Sequence, residues 1–352
     1  MNKTLSKNWF AKQLLNWYST EGRHDLPWKK PISAYRIWVS EIMLQQTQVS
    51  TVIPYFARFM KAFPTIKKLA DAPLNQVLHY WSGLGYYARA RNLHQTAQIV
   101  ATKYQKKFPQ NGEDLQALPG IGRSTAGAIL AQAFDIFAPI LDGNVKRVLC
   151  RFHCIEGNSQ QKEVEQTLWE IAEKYTPTTA VADYTQAIMD LGATCCTRST
   201  PNCQACPLKT RCLAFSRNAV QEYPHKKVKT TLPHREITML LARHQDAILL
   251  YQRPLQGIWA GLWSLPEFNN SKELKQFLRE HLPLKKTTLK ELTPLIHTFT
   301  HFRLKIQPIL LHLNQKKSTA LNKLGLTWVN AHGLTQRGLP APIKKLIFLH
   351  AN

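Results

Sequence analysis

The sequence predicts an all-α domain followed by a smaller α+β domain. Its 352 residues are a length typical of two domains. Through residues 6–216, apolar residues recur at spacings of three and four between prolines, as in successive amphipathic helices. Short runs typical of strands begin after residue 234. We therefore expect the all-α domain at 1–216, a linker at 217–234 and the α+β domain at 235–352.

The charge balance indicates a polyanionic partner. Lysine and arginine number 46 against 22 aspartates and glutamates, giving a net charge of +24. The surplus is present in both parts of the chain, with 29 basic and 16 acidic residues in 1–231 and 17 and 6 in 232–352. This distribution favours nucleic acid as the partner, although a generally basic proteome would produce the same balance.

Four of the seven cysteines crowd into one short segment. No stretch of 18 apolar residues and no signal peptide is found, so we expect a cytoplasmic protein without a membrane partner. In a reducing compartment, clustered cysteines indicate a metal site rather than disulfides. The four are Cys196, Cys203, Cys206 and Cys212. Their spacing is compatible with structural zinc or with a four-iron cluster and does not choose between them.

One segment of the all-α domain is typical of a phosphate contact. Leu118–Ile129 reads Leu-Pro-Gly-Ile-Gly-Arg-Ser-Thr-Ala-Gly-Ala-Ile, so two helices meet at a turn containing Gly120 and Gly122. Such a turn exposes backbone N–H groups at the start of the second helix, which bind phosphate well. A simple helix–helix corner is the alternative interpretation.

Two carboxylates stand out as candidates for acid–base chemistry. Glu41 follows Ile37 by four positions, which places it near an apolar helix face, where burial would raise its pKa. A partner for Arg36 is its alternative role. Asp142 precedes Gly143 and a helix that begins with basic residues. Its alternative role is that of a helix N-cap.

The second domain shows the pattern of an α+β domain. Ile237–Leu241 and Ala247–Tyr251 are short β-rich runs that predict a hairpin. Alternation from Phe302 to Ile306 predicts another strand. Residues 272–280 and 341–350 have the pattern of helices.

In combination, these motifs resemble the adenine DNA glycosylases of the MutY family. That family belongs to the helix-hairpin-helix superfamily, which also includes endonuclease III. The matching segments are Ser40–Val49, Gly83–Asn92, Leu118–Ala126, Ile140–Arg147, Met189–Ala193 and the four-cysteine loop. They occur in the family's order over the first 215 residues, and the second domain resembles the family's Nudix-like domain.

The resemblance implies a monofunctional glycosylase of base excision repair. Such an enzyme removes adenine opposite 8-oxoguanine or guanine in double-stranded DNA. Glu41 matches the general acid and Asp142 the carboxylate that stabilises the positively charged sugar, while Asn144 matches a polar residue that supports Asp142. Ser124 occupies the position of the Schiff-base lysine in the bifunctional enzymes, and serine cannot form that imine.

The resemblance also implies a set of DNA contacts and a cofactor. Gln45, Gln46 and Tyr86 match residues near or in the wedge that enters the duplex, with a helix surface or an aromatic core as the alternative roles. The cysteine loop matches a 4Fe-4S site, with zinc as the weaker alternative. The other expected DNA contacts are Arg89, Arg91, Leu118, Gly120, Gly122, Arg123 and Ser124.

The second domain is expected to bind rather than hydrolyse. Gly261 and Glu267 fit the opening of a Nudix box, but residues 275–280 lack its acidic core, so diphosphate hydrolysis is not expected. Phe299, Thr300 and His301 match the family's 8-oxoguanine recognition loop, which has serine where this chain has Thr300. An edge-strand turn is the alternative interpretation of this loop.

Two other functions compete with the monofunctional enzyme. A bifunctional glycosylase and lyase of the endonuclease III type is disfavoured by Ser124 and by the second domain. A non-catalytic module that binds mispairs could dispense with Glu41 and Asp142, and both are present. We expect a monomer associated with the nucleoid.

Overall fold

The computed structural model divides the chain into two compact units. One unit comprises residues 1–70 and 95–228, and the other comprises 71–94 and 229–352. The domain boundaries at 216 and 235 stay predictions from the sequence. The residues that the structure describes are 7–225, 231–282, 289–315 and 319–350.

Residues 7–216 are helical in the structure, as their periodicity predicts. Among the residues that the structure describes, no helix is long and apolar enough to cross a membrane. A π-helical turn covers Leu191–Cys195, and short 3-10 turns cover Pro27–Lys29, Cys203–Ala205 and Lys209–Arg211. The α-helices are α1 Lys7–Glu21, α2 Ala34–Leu44, α3 Val49–Ala62, α4 Ile66–Asp71, α5 Leu74–Trp81, α6 Ala88–Thr102, α7 Gly112–Gln116, α8 Arg123–Phe134, α9 Gly143–His153, α10 Lys162–Tyr175, α11 Val181–Asp190 and α12 Leu213–Ser216.

Polar side chains fix the starts of several of these helices. The Ser33 side chain accepts a hydrogen bond from the Arg36 N–H and thereby caps α2. Asn111 caps α7 in the same way. Asp142 caps α9. Such caps satisfy N–H groups that have no partner within the helix, and each stabilises the helix by about 1 kcal/mol.

An aromatic cluster anchors α9 within the first unit. Phe10 stacks on Tyr175 with ring centroids 4.2 Å apart, and it meets Phe152 edge-on at 5.0 Å. All three side chains are buried. Burying a side chain of this size contributes about 1.5–3 kcal/mol. The cluster therefore holds α9, and with it Asp142 at its start, in a fixed position.

The C-terminal region has the α+β architecture that the sequence predicts, and the structure shows that its sheet is mixed. The pairing order is β3-β2-β1-β7-β5, with β4 on β1, β6 on β7 and β8 on β2. The β1–β2 pair is the antiparallel hairpin expected from the sequence, whereas β1 and β7 are parallel. The elements are β1 His234–His244, β2 Ala247–Gln252, β3 Trp263–Ser264, β4 Glu267–Phe268, α13 Ser271–His281, β5 Leu289–Glu291, β6 Leu295–Thr298, β7 Arg303–His312, α14 Thr319–Lys323, β8 Leu326–Val329, α15 Ala331–Leu334 and α16 Ala341–Leu349.

Residues 71–94 belong to the same unit as this sheet. The Ser82 hydroxyl donates to the carbonyl oxygen of Leu339 at 3.0 Å, and the Tyr87 hydroxyl donates to the same oxygen at 3.4 Å. Arg91 Nη1 donates to the carbonyl oxygen of Ala260 at 3.0 Å. The loop between α5 and α6 is thus fixed by backbone groups of the C-terminal region.

Candidate active site

A single cavity in the first unit brings together the carboxylates singled out by the sequence. Its volume is about 1110 Å³, and it contains both Glu41 and Asp142 in its wall. Asn144, Gln45, Gln46 and Ser124 line the same cavity. Residues from distant parts of the chain, such as Glu41 and Asp142, thus meet at one site, so helix packing rather than local sequence assembles it. The lining lies within 23–28, 41–50, 124–125, 142–147 and 186–198.

Glu41 extends from the second half of α2 into this cavity. Its neighbours Ile37 and Ile42 are buried, and Gln132 Nε2 of α8 donates to Glu41 Oε1 at 3.2 Å. Burial raises the pKa of the Glu41 carboxyl to about 7, and the nearby charge of Asp142 adds to the increase. Arg36 donates instead to the carbonyl oxygens of Pro27 and Lys30. Glu41 is therefore poised to hold a proton near neutral pH.

Asp142 faces the cavity from the start of α9. Its Oδ1 accepts from the Val145 N–H at 2.8 Å, and its Oδ2 accepts from Asn144 Nδ2 at 3.3 Å. Burial raises the pKa of the Asp142 carboxyl, but these hydrogen bonds and the charge of Arg147 oppose the increase. Asp142 is thus both the N-cap and a member of the site. Its donors favour the ionised form.

Arg147 and Gly192 hold Asn144 beside Asp142. Arg147 Nη2 donates to Asn144 Oδ1 at 2.9 Å and to the carbonyl oxygen of Gly192 at 2.6 Å. A Cβ atom on Gly192 would lie 2.6 Å from the Cβ of Asn144. Only glycine permits so close an approach of the π-helical turn to α9.

The helix-hairpin-helix turn presents backbone groups as the sequence predicts. Gly120 has a φ of +79°, which favours glycine, and Gly122 is the N-cap residue of α8. Arg123 is exposed, with its guanidinium 3.9 Å from the centre of the Trp169 ring. The Ser124 hydroxyl accepts from the Leu141 N–H at 3.1 Å, which ties this turn to Asp142. Leu118 is buried, and its backbone N–H and carbonyl oxygen are hydrogen-bonded to Leu115 and Ile121 within the turn.

Gln46 and Tyr86 share an uncommon backbone conformation. Their φ angles are +57° and +48°, in the left-handed region that residues other than glycine seldom adopt. Gln46 lies beyond the last residue of α2 and is exposed, so it is not part of a helix surface. The Tyr86 side chain is 49% exposed, so it is not a core aromatic. Strained, exposed residues of this kind cluster at functional sites.

Two arginines expected at phosphates have other partners. Arg89 is buried, and its Nη2 donates to the carbonyl oxygens of Leu84 and Gly85 at 3.2 Å each. Burial lowers its pKa to about 10. Arg91 donates to Ala260 as described above. Arg89 therefore fits a role in shaping the loop that carries Tyr86, because two carbonyl oxygens of that loop accept from its guanidinium.

The four cysteines of the loop surround one small cavity next to α9. Arg151 Nη1 donates to the Cys196 sulfur at 3.4 Å and to the carbonyl oxygen of Thr197 at 2.6 Å. Backbone N–H groups point at the sulfur of Cys206. This all-thiol donor set with N–H groups directed at sulfur fits a thiolate-bound group. In the positions described, no three ligand side chains are close enough to hold a metal ion. The cavity is lined by Cys196, Cys203, Cys206 and Cys212, with Cys195 beside them.

The β6–β7 hairpin carries the residues that resemble a recognition loop. The Phe299 N–H donates to the carbonyl oxygen of Phe302 at 2.9 Å, and their rings stack at 4.6 Å. Trp259 packs on Phe299 at 5.3 Å. Thr300 and His301 are exposed at the tip. The segment is indeed a turn between strands, and its aromatic base holds two polar side chains toward solvent.

The structure also identifies site residues that the sequence did not. Gln132 contacts Glu41, and Gln186 of the cavity wall donates to Asp190 Oδ1 at 2.7 Å. Arg23 forms an ion pair with the same buried Asp190. Gln132 could have been noticed in the sequence because it is a polar amide between the small residues Ala131 and Ala133 of a helical stretch.

Family models match both regions of the chain. The model for HhH-GPD superfamily base excision DNA repair proteins matches residues 39–174. The NUDIX domain model matches residues 237–348. The helical domain and the Nudix-like domain predicted from the sequence are both confirmed.

Similar proteins extend over nearly the whole chain. An adenine DNA glycosylase of Buchnera aphidicola from Acyrthosiphon pisum is 41% identical over 97% of this chain and 98% of its own length. The human adenine DNA glycosylase is 33% identical over 96% of this chain and 73% of its length.

Solved structures match the helical part. A thermostable thymine-DNA glycosylase superimposes with a TM-score of 0.54 and 26% identity, covering 60% of this chain and 97% of its own. A non-covalent complex of endonuclease III with DNA has a TM-score of 0.52 and 19% identity, covering 61% of this chain and 99% of its own. At that identity the second match shows the fold alone.

Proposed function

The chain belongs to the adenine DNA glycosylase family, and we propose that it acts on adenine paired with 8-oxoguanine or guanine, as a monofunctional and monomeric enzyme. The observation that carries the proposal is the pair of carboxylates facing one cavity in different environments. Glu41 is held largely by apolar surroundings, whereas Asp142 accepts hydrogen bonds at both oxygens. Such a difference separates a proton donor from an anion.

Adenine reaches this cavity only if it leaves the base stack. Extrusion leaves a gap in the duplex that a side chain must fill. Gln46 and Tyr86 are exposed and have the left-handed backbone conformation, and we assign them to this gap. The N–H groups at the start of α8 and the exposed Arg123 would hold a phosphate without reading sequence.

Glu41 supplies the proton for departure of the base. With a pKa raised to about 7, a large share of its carboxyl groups is protonated at neutral pH. Transfer of that proton to N7 of adenine makes the base a better leaving group. The N-glycosidic bond then breaks, and its electron pair leaves with adenine.

Asp142 stabilises the positive charge that this step creates at C1′ of the deoxyribose. Its carboxylate is fixed by Val145 and Asn144, so little reorganisation is needed as the charge develops. Water adds at C1′, and its proton returns to the Glu41 carboxylate. The products are free adenine and an abasic site, and Glu41 is again protonated.

Among the described residues that line the cavity, none is a lysine that could cleave the strand. Ser124 carries a hydroxyl that accepts from Leu141, so it offers no imine chemistry. Lys146 is near Asp142 in sequence, but its Nζ donates to Glu165 Oε1 at 2.6 Å. These contacts support a glycosylase without lyase activity.

We assign a structural 4Fe-4S cluster to Cys196, Cys203, Cys206 and Cys212, with zinc as the weaker alternative. A bound cluster would cross-link the loop to α9, where Arg151 already contacts it. Iron and sulfide content, with visible absorbance of the purified protein, tests this assignment. Stoichiometric zinc in a colourless protein would contradict it.

The tip of the β6–β7 hairpin is the proposed recognition site for the base opposite adenine. Thr300 and His301 are exposed donors or acceptors above an aromatic base. Threonine retains the hydroxyl expected at this position and adds a methyl group. We therefore assign recognition of 8-oxoguanine to Phe299, Thr300 and His301.

A single-turnover assay on three duplexes tests the proposed function. The duplexes carry adenine opposite 8-oxoguanine, guanine or thymine, and each reaction is analysed with and without alkali. Strand breaks that need alkali, in the first two duplexes only, are the expected result. Breaks without alkali would indicate a bifunctional enzyme, and binding without excision would indicate a non-catalytic module.

A further inference from the structure

Gln132 is a buried amide in contact with the catalytic cavity's acid. It lies in α8, is 6% exposed, and has alanines on both sides. Its Nε2 donates to Glu41 Oε1 at 3.2 Å. Its other polar atom, Oε1, is buried and has no hydrogen-bond partner among the residues that the structure describes.

A buried carbonyl oxygen without a partner is costly, and an apolar residue at this position would avoid that cost. A glutamine amide can rotate by half a turn and exchange its N–H and carbonyl groups. With N–H toward Glu41 it serves a carboxylate, which only accepts. With the carbonyl toward Glu41 it serves a protonated carboxyl, which must donate.

We propose that Gln132 is a positioning residue that holds the Glu41 carboxyl in both of its protonation states by turning its amide between two orientations. The inference rests on the proposed role of Glu41 as the proton donor. In the first orientation the Gln132 N–H donates to the Glu41 carboxylate, as the structure shows. In the second, the Gln132 carbonyl accepts from the Glu41 hydroxyl before the proton moves to adenine.

The effect of Gln132 on the pKa of Glu41 can be distinguished from the effects of the charged groups nearby. Asp142, at the start of α9, raises the pKa of Glu41, whereas the Gln132 hydrogen bond lowers it. Arg147, also of α9, is engaged with Asn144 and Gly192. Arg23 in the cavity wall is paired with Asp190. The hydrogen bond to the ionised carboxylate is charge-assisted and is therefore stronger than the one accepted from the neutral carboxyl, so the amide favours the ionised form overall. Removal of the amide should therefore raise the pKa of Glu41.

The test is the pH dependence of single-turnover adenine excision by Q132M in the full-length protein. Methionine keeps the length of the side chain and removes both polar atoms. We expect the alkaline limb of the rate profile to move up by about half to one pH unit. The limiting rate should fall about three- to tenfold, because the carboxyl is no longer held toward the base. Binding to the mispair should be unchanged.

Two variants separate this role from a loss of packing. Thr176→Val removes a buried hydrogen bond at the end of α10, remote from the cavity wall, and should change the melting temperature without moving the pH limb. Q132L serves as the second apolar variant if Q132M does not fold. An unchanged pH limb in the folded variant would overturn the inference, even if its melting temperature fell.

E41Q distinguishes failure of this inference from failure of the proposed function. If E41Q abolishes excision and Q132M leaves the pH profile of the wild type, only the role of Gln132 is wrong. If E41Q retains excision, Glu41 is not the acid, and both the proposed mechanism and the role of Gln132 fall.

Discussion

The cavity around Glu41 is assembled from segments that lie far apart in the chain, whereas the tip of the β6–β7 hairpin consists of consecutive residues. In the cavity, Glu41 and Asp142 are at least partly buried and are held by hydrogen bonds such as that from Gln132 to Glu41. At the hairpin tip, Thr300 and His301 are exposed and supported from below by Phe299.

This difference predicts which property of the enzyme a substitution in each region changes. A buried network loses function when one member changes, because its neighbours then lack partners. An exposed tip on a stable hairpin tolerates change and adjusts the preference between ligands. Changes in the cavity should therefore act on the rate of excision, and changes at the tip on the choice of opposite base.

The largest effect is expected at Asp142. D142N keeps the shape of the side chain but removes the negative charge at the developing cation. We expect single-turnover excision to slow about 10²- to 10³-fold, while the affinity for mispaired DNA is retained. Asp246→Asn, an exposed aspartate in the β1–β2 turn, is the matched control. A D142N enzyme as fast as this control would contradict the role of Asp142.

The close packing behind the cavity should be nearly as sensitive. In Gly192→Ala, the new methyl group meets the Cβ of Asn144 at 2.6 Å. We expect the free energy of unfolding to fall by about 1–3 kcal/mol, measured by denaturant titration. Gly143→Ala is the control, because a Cβ there meets nothing within 4 Å. Equal stability of the two variants would show that α9 does not need this close approach.

The cavity also predicts how activity depends on pH. Burial raises the pKa of Glu41 to about 7, so the protonated acid predominates below that pH and is lost above it. The excision rate should therefore fall about tenfold per pH unit on the alkaline side. Single-turnover rates between pH 6 and 9 check this limb. A flat profile through pH 9 would exclude a titrating acid with this pKa.

The hairpin should show the smallest change, and in a different quantity. Phe299→Ala removes the ring that stacks on Phe302 at 4.6 Å. We expect the preference for 8-oxoguanine over guanine to decrease about three- to tenfold, with little change in excision opposite guanine. Phe348→Ala, at an exposed position in α16, is the control. An equal loss on both mispairs would remove the hairpin from base recognition.

The sequence predicts much of the fold because its signals are local. The β-rich runs at 237–241 and 247–251 correspond to observed strands, and the helical periodicity corresponds to observed helices from Lys7 onward. Glu41 and Asp142 could be singled out because each is an acidic residue in an uncommon local setting. That they share a cavity follows from the packing of α2, α8 and α9, which no single segment encodes.

The contacts that the sequence did not predict depend on how the chain folds. Gln132 is separated from Glu41 by 91 positions, so its contact is invisible in the sequence. The basic side chain of Arg89 led to the prediction of a phosphate contact. In the structure, its guanidinium donates to the carbonyl oxygens of Leu84 and Gly85 in the preceding loop. The hairpin tip can be singled out from the sequence because Phe299, Thr300 and His301 are adjacent in the chain.

The most direct test of the account is single-turnover excision by Glu41→Gln on adenine opposite 8-oxoguanine, with binding measured on the same duplex. The amide matches the carboxyl in shape but cannot supply the acidic proton. We expect a rate about 10²- to 10⁴-fold lower with unchanged binding. A rate close to that of the wild type would contradict the claim that Glu41 is the acid.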